Sequence, residues 1–142
     1  MKIAVQREDF ELGAEVRKLS RQSRSIGAVA SFVGVVREVP MTLEHYPGMT
    51  ERAIEKIVEE AKGRWQVMDC TVIHRYGALK PGDQIVMVAV ASAHRGDAFA
   101  ACEFIMDYLK TQAPFWKKEQ TARGSRWVEA KASDDQAAER WK

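Results

Sequence analysis

Seven consecutive apolar residues at positions 85–91 constrain the fold of this chain more than any other feature. The turn signal Pro81-Gly82-Asp83 stands just before them. A short apolar run beside a turn is typical of a β-strand with both faces covered, whereas a strand with one face in water alternates. The run is also far too short to cross a lipid bilayer. The segment therefore predicts a strand that other elements cover on both sides.

The remaining patterns indicate a mixture of strands and helices. Strands are predicted near Ile3, over 26–39, over 41–46 and over 70–76, and the segments 115–121 and 126–131 predict a C-terminal hairpin. Helices with one apolar face are predicted after the capping residues Asp9, Thr50 and Asp97, and a capping box at 133–136 opens a short last helix. The third helix is predicted to bury Phe99, Cys102, Met106 and Leu109, and Pro114 is predicted to stop it. Together these patterns predict an α+β fold: one domain over residues 1–142, with a mixed or antiparallel sheet packed with helices and a C-terminal hairpin.

Charge and composition exclude several classes of protein. The 142 residues carry a net charge of +2 and are 46% hydrophobic, which is typical neither of a nucleic-acid-binding protein nor of a disordered one. Two cysteines do not make a disulfide framework. The apolar run of a signal peptide does not follow Met1, so a reducing cytoplasm is the expected compartment.

Basic residues cluster after the third predicted helix. Positions 110–127 hold five basic residues and one acid, Glu119. One interpretation is a capped helix end with a solvated face, because the helix dipole favours a cation such as Lys110 at the C-terminus. The other is a reactive site, because Phe115 and Trp116 lie beside Lys117, and a partly desolvated ammonium group among other cations acts as a nucleophile or as a general acid or base.

Two other positions are candidates for anion binding. His94-Arg95-Gly96 follows the apolar strand and precedes a predicted helix, so backbone N–H groups and the Arg95 guanidinium are placed to bind a phosphate or carboxylate. An ordinary exposed loop is the alternative. Arg37 ends the long predicted strand, where a single charge carries little weight by itself.

Motifs for a metal or a cofactor are not found. The three histidines, His45, His74 and His94, lack the close spacing of metal ligands, and no phosphate-binding glycine loop or dinucleotide fingerprint is present. Cys70 lies in a predicted strand and Cys102 on the apolar side of a helix, which favours structural roles for both. The residues alone thus predict an α+β domain with a basic, lysine-centred anion pocket, and they name no reaction.

Six segments, in a fixed order within about residues 26–131, carry a resemblance to a known family. They are 42–49 (TLEHYPGM), 72–77 (VIHRYG), 81–83 (PGD), 92–95 (SAHR), 104–110 (FIMDYLK) and 113–119 (APFWKKE). In this order they resemble the catalytic (large) subunits of molybdopterin synthase. The resemblance is long and does not depend on a single short motif.

The resemblance implies an activity and a partner. Members of this family are sulfurtransferases of molybdenum cofactor biosynthesis, and they convert cyclic pyranopterin monophosphate to molybdopterin by inserting two dithiolene sulfurs. A small ubiquitin-like subunit donates the sulfurs from the thiocarboxylate of its C-terminal Gly-Gly. The implied assembly is a homodimer of large subunits within a heterotetramer, without membrane or nucleic acid. The implied fold is α/β-hammerhead-like.

The family's functional residues map onto the basic positions already singled out. Its two functional lysines match Lys110 and Lys117, which are expected to be catalytic. Its substrate contacts match the following residues: Arg37, His94 and Arg95, with Lys118 and Glu119 adjoining. Only residues 38–42 separate Arg37 from the segment beginning at Leu43, where most family members have a longer loop.

Two alternatives remain open. The same basic patch, with Phe115 and Trp116 for stacking, would suit a non-enzymatic module that binds a phosphorylated ligand or RNA. A self-sufficient persulfide sulfurtransferase would need Cys70 or Cys102 to be exposed.

Overall fold

The computed structural model describes residues 1–121, 124–128 and 132–142. These residues form two four-stranded sheets and four helices. At 120, 121, 125–128, 132 and 133 the backbone alone is described. The elements are β1 (Lys2–Gln6), α1 (Leu12–Ser20), β2 (Ala28–Val35), β3 (Met41–His45), α2 (Met49–Arg64), β4 (Asp69–Arg75), β5 (Gly77–Leu79), β6 (Gln84–Ser92), α3 (Arg95–Thr111), β7 (Phe115–Thr121), β8 (Gly124–Val128) and α4 (Ala132–Glu139). The predicted α+β class is confirmed.

The apolar run forms most of β6, an inner strand of the first sheet. The strand order of that sheet is β1-β4-β6-β2. β6 pairs antiparallel with β4 and with β2, and β1 lies parallel to β4 at the far edge. Every residue from 86 to 92 is buried, which confirms the prediction of a strand covered on both faces.

Alternate residues of β6 pack against different helices. Val86 and Val88 belong to the larger core, which α2 and α3 complete with residues such as Phe104. Met87 faces the other side, where it packs with Leu19 of α1. Complete burial of a side chain of this size contributes about 2 kcal/mol to stability. Because alternate side chains of β6 point to opposite faces, this one strand stabilises the packing of helices on both sides of the sheet.

The second sheet has the order β5-β3-β7-β8 and contains the C-terminal hairpin. β7 and β8 pair antiparallel, from Lys117 opposite Val128 to Thr121 opposite Gly124. The predicted hairpin is therefore confirmed, although its second strand begins two residues before the predicted 126–131.

The long strand predicted over 26–39 is only partly correct. β2 covers Ala28–Val35, and its register with β6 shifts between Gly34 and Val35. A glycine within a strand often marks such a bulge. Beyond the bulge the chain leaves the sheet, and residues 36–40 form a loop.

The three predicted helix caps are wrong, because each side chain has a different place in the tertiary structure. The Asp9 carboxylate accepts a hydrogen bond from the Gln84 amide, and the Asp97 carboxylate accepts one from the backbone N–H of Gln66. Thr50 lies inside the first turn of α2 and is fully buried. The N-cap positions are instead Glu11, Gly48 and His94.

α3 buries most of the face predicted for it. Cys102, Met106 and Leu109 are buried, but Phe99 is 65% exposed, so its predicted inward position is wrong. Among the described residues, no helix has both the length and the apolar character that a membrane span requires.

The last helix, α4, packs on α3 through residues that follow it. Trp141 lies edge-on to Phe104, and its indole N–H donates to the Asp107 carboxylate. Arg140 forms an ion pair with the same carboxylate. The predicted capping box depends on the side chain of Ser133, which lies outside the described residues.

His74 joins the two sheets. Its ring, in β4, stacks on the Phe115 ring of β7 with 3.8 Å between centroids, and its Nδ1–H donates to the backbone carbonyl oxygen of Arg75 at 2.8 Å. Burial is the main cause that lowers the pKa of His74 to about 4, and the nearby charges of Lys110 and His45 act in the same direction. The imidazole is therefore neutral at neutral pH.

Replacement of His74 by asparagine should make the free energy of unfolding depend less on pH between about pH 4 and 6.5. The folded protein has a His74 pKa of about 4 and the unfolded chain one near 6.5, so the unfolded chain binds more protons between these values. The contribution of His74 is present above about pH 6.5 and is lost as the pH falls towards 4, by up to about 3 kcal/mol. Urea unfolding should show a steeper fall in the wild type than in His74→Asn. The exposed His94→Asn variant serves as control, and equal slopes in all three proteins would refute this account.

Candidate active site

A cavity of about 440 Å³ opens where the loop after β2 meets the end of α3 and the start of β7. Three elements contribute cations to it: Arg37, Lys110 and Lys117. Two carboxylates, Glu38 and Glu119, also line it. The other lining residues are apolar: Val35, Val36, Val39, Met41 and Ile85. A concave site with apolar walls and several cations is suited to a small anionic ligand.

Lys110 and Lys117 reach this cavity from different elements. Lys110 lies in the last turn of α3, which ends at Thr111, and Pro114 separates the helix from β7. β7 then pairs with β3 so that Lys117 lies opposite Leu43. The break at the proline turns the chain, and the two lysines line one cavity, as the sequence predicted.

Side chains alternate along β7, so its charged residues lie on two opposite faces of the strand. Lys117 and Glu119 are two positions apart, so they share a face, and the Lys117 Nζ lies 3.3 Å from Glu119 Oε1. The carboxylate offsets part of the repulsion among the cations of the cavity. Lys118 is not among the lining residues, because the strand directs it to the opposite face, where Trp116 packs edge-on against Tyr46.

The loop that carries Arg37 is braced by the turn before β6. The Val36 N–H donates to the carbonyl oxygen of Asp83 at 2.9 Å, and the Gly82 N–H donates to the carbonyl oxygen of Val36 at 2.9 Å. Glu38 has a φ of 70°, a region that residues other than glycine seldom adopt. The backbone bends at Glu38, and this bend places Glu38 in the cavity. The sequence contains no local signal for the bend.

His94 and Arg95 do not meet the lysines within one chain. Both are exposed at the N-terminal end of α3, whereas Lys110 is fifteen residues further along the same helix. A helix rises by 1.5 Å per residue, so about 22 Å separates Arg95 from Lys110 along the axis. The sequence therefore identified two basic regions that a single copy of the chain keeps apart.

Part of the predicted basic cluster is not described. Arg123 and the side chain of Arg126 lie outside the described residues.

Thr50, which the sequence predicts only as a helix cap, contacts the turn between the two lysines. Its hydroxyl donates to the carbonyl oxygen of Pro114, 64 positions away. A contact over this separation leaves no trace in local patterns, so the sequence contains no signal for it.

The two cysteines are buried in the core. Burial raises the pKa of Cys70 to about 12 and that of Cys102 to about 11, so both are thiols at neutral pH. The Cys102 thiol donates weakly to the backbone carbonyl oxygen of Val88 at 3.8 Å. Protonated, inaccessible sulfur does not suit persulfide chemistry, which uses an exposed thiolate. In the described part of the chain, no cluster of three or more His, Cys, Asp or Glu residues could hold a metal ion.

The fold and the cavity define an α+β protein with a lysine-bearing pocket for a small anion. The model of the family described as "MoaE protein" matches residues 5–112. The chain therefore belongs to the MoaE protein family. This assignment agrees with the resemblance found in the sequence.

Relatives and solved structures agree over nearly the whole chain. The chain is 60% identical to the molybdopterin synthase catalytic subunit of Ralstonia nicotianae, over 98% of this chain and 83% of the relative. It is 54% identical to the protein of the same name from Escherichia coli, over 99% and 97%. The solved structure of the molybdopterin biosynthesis MoaE protein from Burkholderia ambifaria has a TM-score of 0.88 at 59% identity, covering 99% of this chain and 98% of that one.

The buried thiols should be unreactive in the folded protein. We expect neither Cys70 nor Cys102 to react with Ellman's reagent near pH 8 within minutes, because both are buried and protonated. Both should react at once in guanidinium chloride, which provides the internal control. Rapid labelling of either thiol in the native protein would contradict the burial of that cysteine.

Proposed function

We propose that this protein is the catalytic subunit of a molybdopterin synthase. It converts cyclic pyranopterin monophosphate to molybdopterin, and it takes both dithiolene sulfurs from the C-terminal thiocarboxylate of a small ubiquitin-like partner. The names of relatives that are 54% and 60% identical over almost the entire chain support this activity. We propose the cytoplasm as the compartment, because the reaction uses a cofactor precursor and a soluble sulfur carrier.

The observation that carries the proposal is the convergence of Lys110, Lys117 and Arg37 on one cavity. Both reactants are anions, since the pterin precursor carries a phosphate and the sulfur donor is a thiocarboxylate. Three cations from three elements supply charge for both. The partner's C-terminal tail would enter the same cavity, because the donor sulfur has to reach the substrate there.

The lysines act as charge stabilisers and proton carriers in this scheme. In this scheme the thiocarboxylate sulfur bonds to a substrate carbon in place of an oxygen and forms a thioester that links substrate and partner. Water then cleaves the acyl C–S bond, so the sulfur stays on the substrate and the partner leaves as a carboxylate. An ammonium group beside the thioester stabilises the developing negative charge. A lysine also donates or accepts the proton that accompanies transfer. Glu119, in contact with Lys117 at 3.3 Å, orients that ammonium group.

A second copy of the chain would bring His94 and Arg95 to the site. Within one chain the length of α3 keeps them about 22 Å from Lys110, so they contact the same substrate only if another copy supplies them. Exposed apolar side chains on the β2–α3 side support a homodimer: Phe32 is 43% and Phe99 65% exposed. An open groove of about 450 Å³ lies between them. Such a surface is typical of a protein–protein interface.

We also propose that residues 1–142 act as one domain. The contacts of Trp141 and Arg140 with α3 support this, since they join the last helix to the larger core. One small partner per catalytic chain then gives a heterotetramer.

The alternative of an RNA-binding or ligand-binding module is less well supported. Its stacking platform would need both aromatic residues exposed, but the Phe115 ring is covered by its stack on His74. Of the two, only Trp116 remains open, at 37% exposure and edge-on to Tyr46. Binding of RNA would also weaken steeply with salt and would need no thiocarboxylate.

Loss of either cavity lysine should nearly abolish turnover. We expect Lys110→Ala and Lys117→Ala each to reduce single-turnover product formation by about 10²-fold, as for lost charge stabilisation or proton transfer. Lys118→Ala should lose less, because its side chain lies on the other face of β7. The assay mixes pterin precursor with a saturating thiocarboxylated partner and measures dithiolene product. Lys56→Ala, an exposed change on α2, is the neutral control. Near-normal rates in both cavity variants would refute the proposed function.

A mixed dimer should recover activity that neither variant has alone. If Arg95 and Lys117 of one site come from different copies, co-expressed Arg95→Ala and Lys117→Ala chains form heterodimers with one intact site. Random pairing then restores about one quarter of wild-type turnover. The matched control pairs Lys110→Ala with Lys117→Ala, which leaves no intact site in any dimer. Recovery in the control, or none in the test pair, would contradict the shared site.

A further inference from the structure

Thr50 makes hydrogen bonds to Tyr46, just before its own helix, and to Pro114, 64 positions further along the chain. It lies in the first turn of α2 and is fully buried. Its backbone N–H donates to the Tyr46 carbonyl oxygen at 2.9 Å, and its Oγ1 accepts from the Tyr46 N–H at 3.0 Å. The same Oγ1 lies 3.2 Å from the carbonyl oxygen of Pro114. That oxygen can only accept, so the hydroxyl proton is directed at Pro114.

The Pro114 carbonyl belongs to the short turn between the two cavity lysines. Proline has no N–H, so this residue can be tied by its carbonyl oxygen alone. The neighbouring backbone bonds are local: the Gln112 N–H donates to Tyr108 within the helix end, and the Phe115 N–H donates to Ala113. The Thr50 hydroxyl therefore links the turn to α2 and, through Tyr46, to the end of β3.

β3 is also the strand that places Lys117. Leu43 lies opposite Lys117 and His45 opposite Phe115 in the β3–β7 pairing. A hydroxyl that binds Tyr46, at the end of β3, and the Pro114 carbonyl at once holds the turn between α3 and β7 against β3. Lys110 lies on one side of this link and Lys117 on the other.

We infer that Thr50 is a positioning residue, whose buried hydroxyl sets the spacing of Lys110 and Lys117 in the cavity. The inference rests on the proposed function, since it assigns a purpose to the spacing of those lysines. Thr50 does not line the cavity and so does not act on the substrate itself. Its effect passes through the Pro114 turn.

Removing the hydroxyl without changing the shape of the side chain is the direct test. Thr50→Val leaves the Tyr46 N–H and the Pro114 carbonyl without their partner, so the turn is free to shift. A displacement of about 1 Å in a catalytic group costs up to about 10²-fold in rate. We expect a fall in kcat of about 10-fold to 100-fold, with a smaller change in KM for the pterin precursor. Thr50→Ser keeps the hydroxyl and should restore most of the wild-type kcat.

The matched control is Thr71→Val, another buried threonine-to-valine change. Thr71 is 4% exposed, and it lies opposite Ala89 in the β4–β6 pairing, on the α1 side of the first sheet. The Thr71→Val variant should be less stable than the wild type but should keep the wild-type kcat. All variants are assayed with the thiocarboxylated partner at a temperature well below the lowest melting temperature of the set, and folding is checked by circular dichroism.

Three results would overturn the inference. They are a folded Thr50→Val protein with kcat within about twofold of wild type, a Thr50→Ser protein as slow as Thr50→Val, and a Thr71→Val protein that is equally slow. If Thr50→Val does not fold, Thr50→Ala removes the same hydroxyl and is judged by the same criteria. If neither folds, the hydroxyl serves folding and the positioning role is rejected.

The lysine variants separate this inference from the proposed function. If wild type makes no product, or if Lys110→Ala and Lys117→Ala retain turnover, the proposed function fails. If the lysine variants lose turnover while Thr50→Val keeps it, the positioning role alone fails.

Discussion

Burial of β6 on both faces is the constraint on which the rest of the structure depends. Its alternate side chains need apolar partners in two directions, so α1 covers one face while α2 and α3 cover the other. Once α3 packs across this sheet, its C-terminal end is set beside the loop that leaves β2. That placement brings Lys110 to the edge of the cavity where Arg37 lies.

The second sheet contributes further cavity residues through β7. β7 follows α3 after a short turn and pairs with β3, which directs Lys117 back towards Lys110. His74 and Phe115 stack across the junction of the two sheets, and the buried imidazole stays neutral beside the charge of Lys110. A charged group at that position would add to the repulsion among the cavity cations. The aromatic stack adds no charge to the cations that line the cavity, and Glu119 supplies a counter-charge to Lys117.

The length of α3 gives the chain two basic regions at opposite ends of one helix. Each is too far from the other to serve a single small ligand in the same chain. The exposed apolar side chains Phe32 and Phe99 border one groove on the β2–α3 side, which is the surface proposed for a second copy. In the proposed homodimer, assembly and active-site chemistry would therefore be coupled, because the same helix would supply a lysine to one site and an arginine to the other.

The amino-acid sequence by itself determined the strand buried on both faces, the hairpin, the break at Pro114 and the identity of the basic residues. Each of these depends on neighbours within a few positions, where apolar periodicity, proline geometry and charge act directly. Only the tertiary structure decided that Asp9, Thr50 and Asp97 bond to distant partners instead of capping helices, and that Glu38 enters the cavity. It also decided that Lys110 and Arg95 lie apart, because that distance follows from helix length. Such contacts join residues up to 75 positions apart, and their energies depend on packing that no local pattern encodes.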